Sequence, residues 1–217
     1  MLTEDKTKPL YLLFDFDGTI ADSFRLGMAI LDDLRPFFNL PLLSDEELYA
    51  MRGLPIPVIF KKLGISIFKL PGIIHHAKKS MHLRLNELIP IVGMPEALQH
   101  FHKMKIPMAL LTSNSSENVL PFLDKHLINV FAWFDFDVNF FNKSRHIRIQ
   151  MHKRNLMEYN CIYIGDETRD IKAAKDNKLP VISVTWGLQP TVLLEKHKPD
   201  YLIDTPTTLL GLISSLN

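Results

Sequence analysis

Two carboxylates follow an apolar run near the start of the chain. The run YLLF leads into Asp15 and Asp17, and Gly18 comes next and permits a sharp exit from a strand. Side chains alternate along a strand, so both carboxylates face the same way if the backbone stays extended. Carboxylates that share a site repel each other unless a cation or a proton lies between them, and Mg²⁺ is a hard ion that binds oxygen. The pattern therefore predicts a magnesium site, although an acidic turn is the simpler interpretation of the pair alone.

The longer string around these carboxylates is more specific than the pair. An apolar run followed by Asp-x-Asp-Gly-Thr-Ile and then Ala-Asp-Ser resembles the first motif of the haloacid dehalogenase superfamily. Most members of that superfamily are Mg²⁺-dependent phosphotransferases with a Rossmann-like core. The resemblance implies three further motifs in order along the chain, each at the end of a strand.

The second motif is a hydroxyl residue after an apolar strand. Thr112 follows the run PMALL, and Ser113 and Asn114 come next. A hydroxyl group and exposed backbone N–H groups can hold a phosphoryl oxygen, and a helix that begins near Ser115 adds positive potential. Taken alone, these residues would be interpreted as an ordinary polar cluster at a helix start.

The third motif is a cation that neutralises the phosphate and the nucleophile. Lys143, just after the run FDFDV, is the first candidate, and Arg145 is the alternative. Both lie in a basic run without acidic residues, most of which we expect to be a solvated helix face. The run FDFDV itself repeats an Asp-x-Asp pair, but no Gly-Thr follows, so Asp135 and Asp137 are expected to be packing or strand-end residues.

The fourth motif is a second pair of acidic residues. Asp166 follows the run CIYIG, and Asp170 comes four residues later. From the loop and the first turn of a following helix, these carboxylates can converge on a metal ion, although a capped helix start would have the same pattern. Glu167, between them, is expected to point outward or to support the ligands indirectly.

The resemblance implies a role for each motif. Asp15 would be the nucleophile and form an aspartyl-phosphate, and Asp17 would protonate the leaving oxygen and then activate water. Thr112 and Lys143 would bind the phosphoryl group. Mg²⁺ would be held by Asp15, the backbone carbonyl of Asp17, Asp166 and Asp170. The further candidates for substrate contacts are Gly18, Ser113, Asn114 and Arg52.

Three functions stay open, and the first is favoured. A phosphatase of a small phosphorylated metabolite fits Asp17, because haloacid dehalogenases need no acid for a halide leaving group and lack this second Asp. The tail segments VTWGLQP and DYLIDTP also resemble the phosphoglycolate-phosphatase-like branch. The alternatives are a phosphosugar mutase of the same fold and a non-catalytic binding protein that has kept the fold.

Short apolar runs that alternate with amphipathic stretches must position these motifs. The predicted strands are Leu10–Asp15, Pro107–Leu111, Phe134–Val138, Cys161–Ile164, Val181–Val184 and Tyr201–Ile203. The predicted helices lie near 95–104, 115–126, 146–159, 168–178, 190–197 and 206–216. This alternation predicts an α/β, Rossmann-like fold with a mostly parallel sheet flanked by helices.

Residues 21–90 lack a convincing buried strand and are predicted to form an inserted α-helical cap. Asp22 or Ser23 would cap its first helix, and Ser44 with Glu47 forms a capping box for the second. Proline and glycine are expected to interrupt the block repeatedly, from Pro36 to Gly72. Residues 1–20 and 91–217 would then be the catalytic core.

A loop between two cap helices is expected to approach the site. It contains the string Arg52-Gly53-Leu54-Pro55. The corresponding loop dips toward the active site in related caps, so Arg52 is a candidate substrate contact, and a surface arginine at a helix end is the alternative interpretation.

Composition limits the class of protein. The chain has 217 residues, 47% of them hydrophobic and 23% charged, as in ordinary globular proteins. The net charge of +1 gives no bulk electrostatic case for nucleic acid or membrane partners. A single cysteine excludes a disulfide framework, and no apolar run approaches the ~20 residues of a membrane helix. We therefore expect a soluble cytoplasmic protein that acts on a small phosphorylated metabolite, with its oligomeric state open.

Overall fold

A six-stranded parallel sheet organises the chain. The computed structural model describes residues 7–54, 56–136 and 142–217. The strand order is β3-β2-β1-β4-β5-β6, and every neighbouring pair is parallel. The strands are β1 (Leu10–Phe14), β2 (Met108–Leu111), β3 (Trp133–Asp135), β4 (Asn160–Gly165), β5 (Val181–Val184) and β6 (Tyr201–Ile203). The predicted α/β class with a parallel sheet is confirmed.

Ten α-helices are present in the described part of the chain, together with three short 3-10 turns. The first four along the chain are α1 (Ser23–Phe38), α2 (Asp45–Met51), α3 (Ile56–Lys62) and α4 (Leu70–Arg84). The others are α5 (Met94–Lys103), α6 (Ser116–Lys125), α7 (Lys143–Lys153), α8 (Thr168–Asp176), α9 (Thr191–Lys196) and α10 (Pro206–Leu216). No helix in the described ranges is both long and apolar enough to cross a membrane.

The central strand β1 is buried on both faces, which is why its sequence is apolar without alternation. Leu12 and Phe14 point into one core with Leu98 of α5, whereas Tyr11 and Leu13 point into the other. The second core contains buried side chains of α7 and α8, so helices cover both faces of the sheet.

The strand order brings the ends of β1 and β4 side by side. Strands β2 and β3 lie on one side of β1, and β4, β5 and β6 lie on the other. Phe14 is in register with Leu110 of β2 and with Ile164 of β4. The residues that follow these three strands therefore share one edge, at the switch point where α/β sheets bind ligands.

The described residues between the end of β1 and β2 form helices and turns. Asp22 caps α1 by accepting from the Arg25 N–H at 3.2 Å. Ser44 and Glu47 form the predicted capping box, with contacts of 2.8 and 3.2 Å. Both capping predictions are confirmed. Helices α1 and α4 enclose a small apolar core of Leu34, Leu40 and Ile73.

Four of the predicted interruptions were wrong, because Pro36, Pro57, Pro71 and Gly72 lie within helices. Pro36 lies inside α1, close to its end, and Pro71 lies in the first turn of α4. A proline in the first turn costs no hydrogen bond, because the N–H groups there have no partner within the helix.

The largest boundary shifts flank residues 137–141. Strand β3 begins at Trp133 rather than Phe134, and Asp137 and Val138 of the predicted strand lie outside the described residues. Helix α7 begins at Lys143, before the predicted start near 146, and it ends at Lys153. Asn155 then adopts a left-handed conformation with φ of 53°, which a helix cannot continue through.

A single core substitution tests this packing. Leu98 of α5 is fully buried in the core beside β1, so Leu98→Ala should lower the free energy of unfolding by about 2–5 kcal/mol, measured by urea denaturation. His102→Ala on the exposed side of the same helix is the control and should change stability by less than about 0.5 kcal/mol. Equal losses in the two variants would contradict the assigned core.

Candidate active site

Three buried carboxylates lie together at the shared edge of β1 and β4. One oxygen from each of Asp15, Asp166 and Asp170 lies within 4.8 Å of the other two. All three side chains are almost completely buried. Burial and then repulsion among these groups raise the pKa of Asp166 well above its usual range. Burial raises the pKa of Asp170 to about 6, although Lys143 opposes that shift.

Glycines allow the backbone to close tightly around these carboxylates. A Cβ atom placed on Gly18 would lie 2.2 Å from Asp166 Oδ2, and one on Gly187 would lie 2.2 Å from Asp166 Cβ. Gly18 also has a φ of +72°, which favours glycine. Two loops thus approach Asp166 more closely than any side chain permits.

Asp17 occupies a separate position in the same site. Its Oδ1 accepts from Ser23 Oγ at 2.5 Å, and its two carboxylate oxygens accept from Asn114 Nδ2 at 3.2 and 3.1 Å. Strand β1 ends at Phe14, so the extended backbone does not persist to Asp17. Burial, and to a smaller extent the charge of Asp15, raise the pKa of Asp17. Asp17 therefore holds a proton to higher pH than an ordinary aspartate.

Lys143 is the cation inside the carboxylate cluster. Its Nζ lies 2.7 Å from Asp15 Oδ2 and also contacts Asp170 Oδ1. Burial disfavours its charge, but Asp15 and Asp170 more than compensate and hold the pKa of Lys143 above its usual range. Arg145, the alternative cation, is exposed. The structure therefore brings Lys143, and not Arg145, to the acidic residues.

The predicted phosphoryl-binding residues lie in the loop between β2 and α6. Thr112 is fully buried, and its Oγ1 accepts from the Asn114 N–H at 2.9 Å. Ser113 lies between them, and α6 begins two residues after Asn114 with Ser115 as its N-cap. The loop is joined to the first motif through the Asn114 amide, which binds Asp17.

Several contacts around Asp166 were missed by the sequence analysis. Thr19 Oγ1 donates to Asp166 Oδ1 at 3.0 Å, and the Leu188 N–H donates to Asp166 Oδ2 at 2.6 Å. Trp186 Nε1 donates to the Thr19 carbonyl at 3.1 Å. Thr19 belongs to the first motif and Trp186 to the tail segment VTWGLQP, so the sequence offered a signal for both. The backbone N–H of Leu188 could not be singled out from its residue type.

The structure decides between the two orientations that the fourth motif left open for Glu167. Glu167 does not point outward: it is 8% exposed, and its Oε1 lies 2.8 Å from Arg169 Nη2. The Arg169 guanidinium also faces Ser113 Oγ. Burial of the Glu167 carboxylate is possible because this ion pair offsets the cost of desolvation. The spacing of the fourth motif draws attention to Glu167, but it does not indicate a role for Arg169.

Arg52 joins the helical block to the loop that holds Asp166. Its guanidinium donates to the carbonyls of Gly187 and Leu188, the latter at 3.2 Å, and lies 4.6 Å above the ring of Phe24. A Cβ on the adjacent Gly53 would lie 2.9 Å from Pro190 Cδ. A substrate contact for Arg52 stays a prediction, and its partners in this structure include two backbone carbonyls and the Phe24 ring.

Asp135 lies at the end of β3 and contacts α7. Its Oδ2 accepts from Gln150 Nε2 at 3.1 Å, and His146 lies 3.4 Å away. These contacts agree with the predicted packing or strand-end role, whereas Asp137 lies outside the described residues.

Sequence comparison decides the family. The sequence profile of the haloacid dehalogenase-like hydrolases matches residues 12–184, a range that contains all four motifs. The chain belongs to the haloacid dehalogenase-like hydrolases. The family predicted from the first motif is confirmed, and so is the assignment of the chain as a hydrolase of this class.

Relatives extend over nearly the whole length of this haloacid dehalogenase-like hydrolase. A phosphoglycolate phosphatase of Synechococcus elongatus is 26% identical over 206 residues, covering 94% of this chain and 97% of its own. A pyrophosphatase PpaX of Oceanobacillus iheyensis is 20% identical over 215 residues, covering 93% and 95%.

Solved structures of haloacid dehalogenase-like proteins share the fold. A hydrolase of this family from Streptococcus pneumoniae has a TM-score of 0.81 at 17% identity, covering 95% of this chain and 99% of its own. A Thermotoga maritima chain assigned as a beta-phosphoglucomutase has a TM-score of 0.73 at 18% identity, covering 96% and 100%. These likenesses concern the fold alone.

A glycine substitution tests the tight approach to Asp166. Gly187→Ala should displace the Asp166 carboxylate and weaken Mg²⁺ affinity by about ten- to a hundredfold, measured by calorimetry. Gly211→Ala is the matched control: no neighbouring atom lies within 4 Å of a Cβ placed there, and alanine in the helix interior should stabilise α10 by up to about 1 kcal/mol. Unchanged Mg²⁺ affinity in Gly187→Ala would contradict the geometry described for this loop.

The carboxylate pKa values predict how Mg²⁺ stabilisation depends on pH. Because Asp166 and Asp170 have raised pKa values in the folded state, the metal-free fold binds more protons than the unfolded chain. Its stability should therefore fall as the pH rises from about 4 to about 6. Mg²⁺ competes with those protons, so the Tm increase on adding Mg²⁺ should be larger at about pH 7.5 than at about pH 5. An equal increase at both pH values would exclude these carboxylates as the site.

Proposed function

We propose that this chain is a Mg²⁺-dependent phosphatase that hydrolyses a small phosphorylated metabolite through an aspartyl-phosphate on Asp15. The observation that carries the proposal is the buried cluster in which Asp15 meets Lys143 and two further carboxylates, with Asp17 nearby. The relatives named phosphoglycolate phosphatase and pyrophosphatase support phosphate chemistry and make phosphoglycolate the first substrate to test.

The donor set fits a hard divalent cation. Carboxylate oxygens of Asp15, Asp166 and Asp170 converge within 4.8 Å, and all are oxygen ligands of the kind that Mg²⁺ prefers. Asp15 and Asp166 would bind the ion with the backbone carbonyl of Asp17. Asp170 would bind directly or through water, since it also contacts Lys143 and the Glu167 N–H. When bound, the ion would offset the negative charge of the nucleophile and of the phosphoryl group.

The first half of the reaction transfers the phosphoryl group to the enzyme. An oxygen of Asp15 attacks phosphorus, and the bond between phosphorus and the leaving oxygen breaks. Asp17 gives its proton to that oxygen as the alcohol departs. The raised pKa of Asp17 suits this step, because the acid must hold its proton until transfer. Ser23 and Asn114 fix the direction of the Asp17 carboxyl group.

The second half returns the enzyme to its starting state. Asp17, now ionised, accepts a proton from a water molecule, whose oxygen attacks the phosphorus of the aspartyl-phosphate. The bond between phosphorus and the Asp15 oxygen breaks, inorganic phosphate leaves, and Asp17 is protonated again. One carboxyl group thus serves as acid and as base, as its position beside the nucleophile allows.

Phosphoryl oxygens would be held from the loop between β2 and α6. The Thr112 hydroxyl and the backbone N–H groups of Ser113 and Asn114 are donors, and the N-terminus of α6 adds positive potential. Lys143 would bind the phosphoryl group while it neutralises Asp15. Gly18 would allow the phosphoryl group to approach the backbone.

The helical block would act as a cap on the site. In this proposal residues 21–90 form the cap, and residues 1–20 and 91–217 form the catalytic core. Arg52 lies in the cap loop that meets the core beside Asp166, through the carbonyls of Gly187 and Leu188. A cap in this position excludes water and selects the substrate.

Replacing the nucleophile tests the proposed reaction. Asp15→Asn should reduce turnover of 4-nitrophenyl phosphate with Mg²⁺ at least about a thousandfold, because the amide cannot attack phosphorus. Asp135→Asn, at the other Asp-x-Asp pair, is the control and should retain activity.

A panel of phosphorylated metabolites then identifies the substrate. Absence of turnover across the panel would favour the binding-protein alternative, and conversion of a hexose 1-phosphate to its 6-phosphate would favour the mutase.

A further inference from the structure

Acidic side chains outnumber cations at the candidate active site. Lys143 and Arg169 are the two cationic side chains identified in the described part of the cluster, and Lys143 is already bound to Asp15 and Asp170. The acidic members are Asp15, Asp17, Asp166, Glu167 and Asp170. A phosphate ester brings more negative charge, so a further cation beside Lys143 and the proposed Mg²⁺ would favour its binding.

Arg169 is placed where a phosphoryl oxygen is expected. It is the second residue of α8, and its side chain is 16% exposed, against 3% for Lys143. Its guanidinium therefore lies nearer to solvent than the Lys143 ammonium. Ser113, which it faces, belongs to the loop proposed to bind the phosphoryl group. Burial disfavours the charge of Arg169, but Glu167 and then Asp15 and Asp170 raise its pKa, so the guanidinium stays charged.

The contacts of Arg169 with Ser113 are long enough that a phosphoryl oxygen could replace the Ser113 hydroxyl as an acceptor. The distances from Nη1 and Nη2 to Ser113 Oγ are 3.5 and 3.4 Å, longer than the 2.7–3.2 Å that is usual for N–H···O bonds. A charged phosphoryl oxygen is a stronger acceptor than a neutral hydroxyl, and a guanidinium has donors enough to keep one contact while it makes another. The 2.8 Å contact with Glu167 can therefore persist and orient the guanidinium.

We propose that Arg169 is a second cationic ligand of the substrate phosphoryl group, which it binds together with Ser113. The inference deepens the proposed function and rests on it. It makes Arg169 a catalytic residue in the sense that it touches the reacting group. Glu167 is then a positioning residue, whose buried carboxylate holds the guanidinium beside Ser113.

The competing explanation is that Arg169 only neutralises buried Glu167. The two explanations differ in what happens when both charges are removed. If Arg169 serves Glu167 alone, Glu167→Gln in the Arg169→Ala background should restore function. If Arg169 binds phosphoryl oxygens, the double variant should stay impaired.

The experiment measures the binding of inorganic phosphate by calorimetry with Mg²⁺ present. With 4-nitrophenyl phosphate as the substrate, steady-state assays give kcat and KM for the same variants. Arg169→Ala should weaken phosphate binding and lower kcat/KM by about ten- to a hundredfold, as expected for a charged hydrogen bond. Arg169→Lys should recover part of the loss, since it restores charge without the forked donors. Lys172→Ala is the control on the same helix: its side chain is 74% exposed and pairs with Asp176, and both quantities should be unchanged.

The outcomes separate the inference from the proposed function. Unchanged phosphate affinity in Arg169→Ala, or full recovery in the double variant, would overturn the role of Arg169 while leaving the phosphatase intact. Wild-type protein that binds phosphate but hydrolyses no ester would overturn the proposed function, and the affinity of Arg169→Ala would still decide the role of Arg169. Wild-type protein that binds no phosphate would overturn both.

Discussion

Repulsion among buried carboxylates is the constraint on which the rest of this structure depends. Asp15, Asp166 and Asp170 place oxygens within 4.8 Å of one another in a region closed to solvent. Burying ionised groups is costly unless opposite charge compensates them. Lys143 supplies part of that charge, and glycines at 18 and 187 let the chain close around Asp166. The remaining excess of acid suits the cluster to a divalent cation, as proposed above.

The sheet topology brings these charges together. The helical block, residues 21–90, contacts them through the loop that contains Gly187 and Leu188. Adjacent strands β1 and β4 end at one edge, so residues far apart along the chain become neighbours. Arg52 binds the carbonyls of Gly187 and Leu188, and the N–H of Leu188 binds Asp166. A continuous set of hydrogen bonds therefore runs from the helical block to a proposed metal ligand. Movement of the helical block would therefore change the position of the Asp166 carboxylate.

Much of the fold and of the candidate site was predictable, because the residues that determine them lie next to one another in the sequence. Each strand is an apolar run, and a polar residue directly follows each of β1, β2 and β4, so Asp15, Thr112 and Asp166 could be located from spacing. The sequence left the orientation of Glu167 open, because its burial depends on the Arg169 guanidinium. Backbone hydrogen-bond donors such as the Leu188 N–H could not be predicted. Every residue type except proline has this group, and its partner depends on the tertiary fold. Pro36 was misjudged because its effect depends on its position within the helix.

The central claim is that the acidic cluster binds a divalent cation beside the proposed nucleophile. The most direct test is the anomalous scattering of crystals grown with Mn²⁺, which takes the same oxygen ligands as Mg²⁺. We expect a peak within about 2.5 Å of carboxylate oxygens of Asp15 and Asp166. A peak elsewhere with none at these oxygens, or no peak in crystals whose protein is folded, would contradict it.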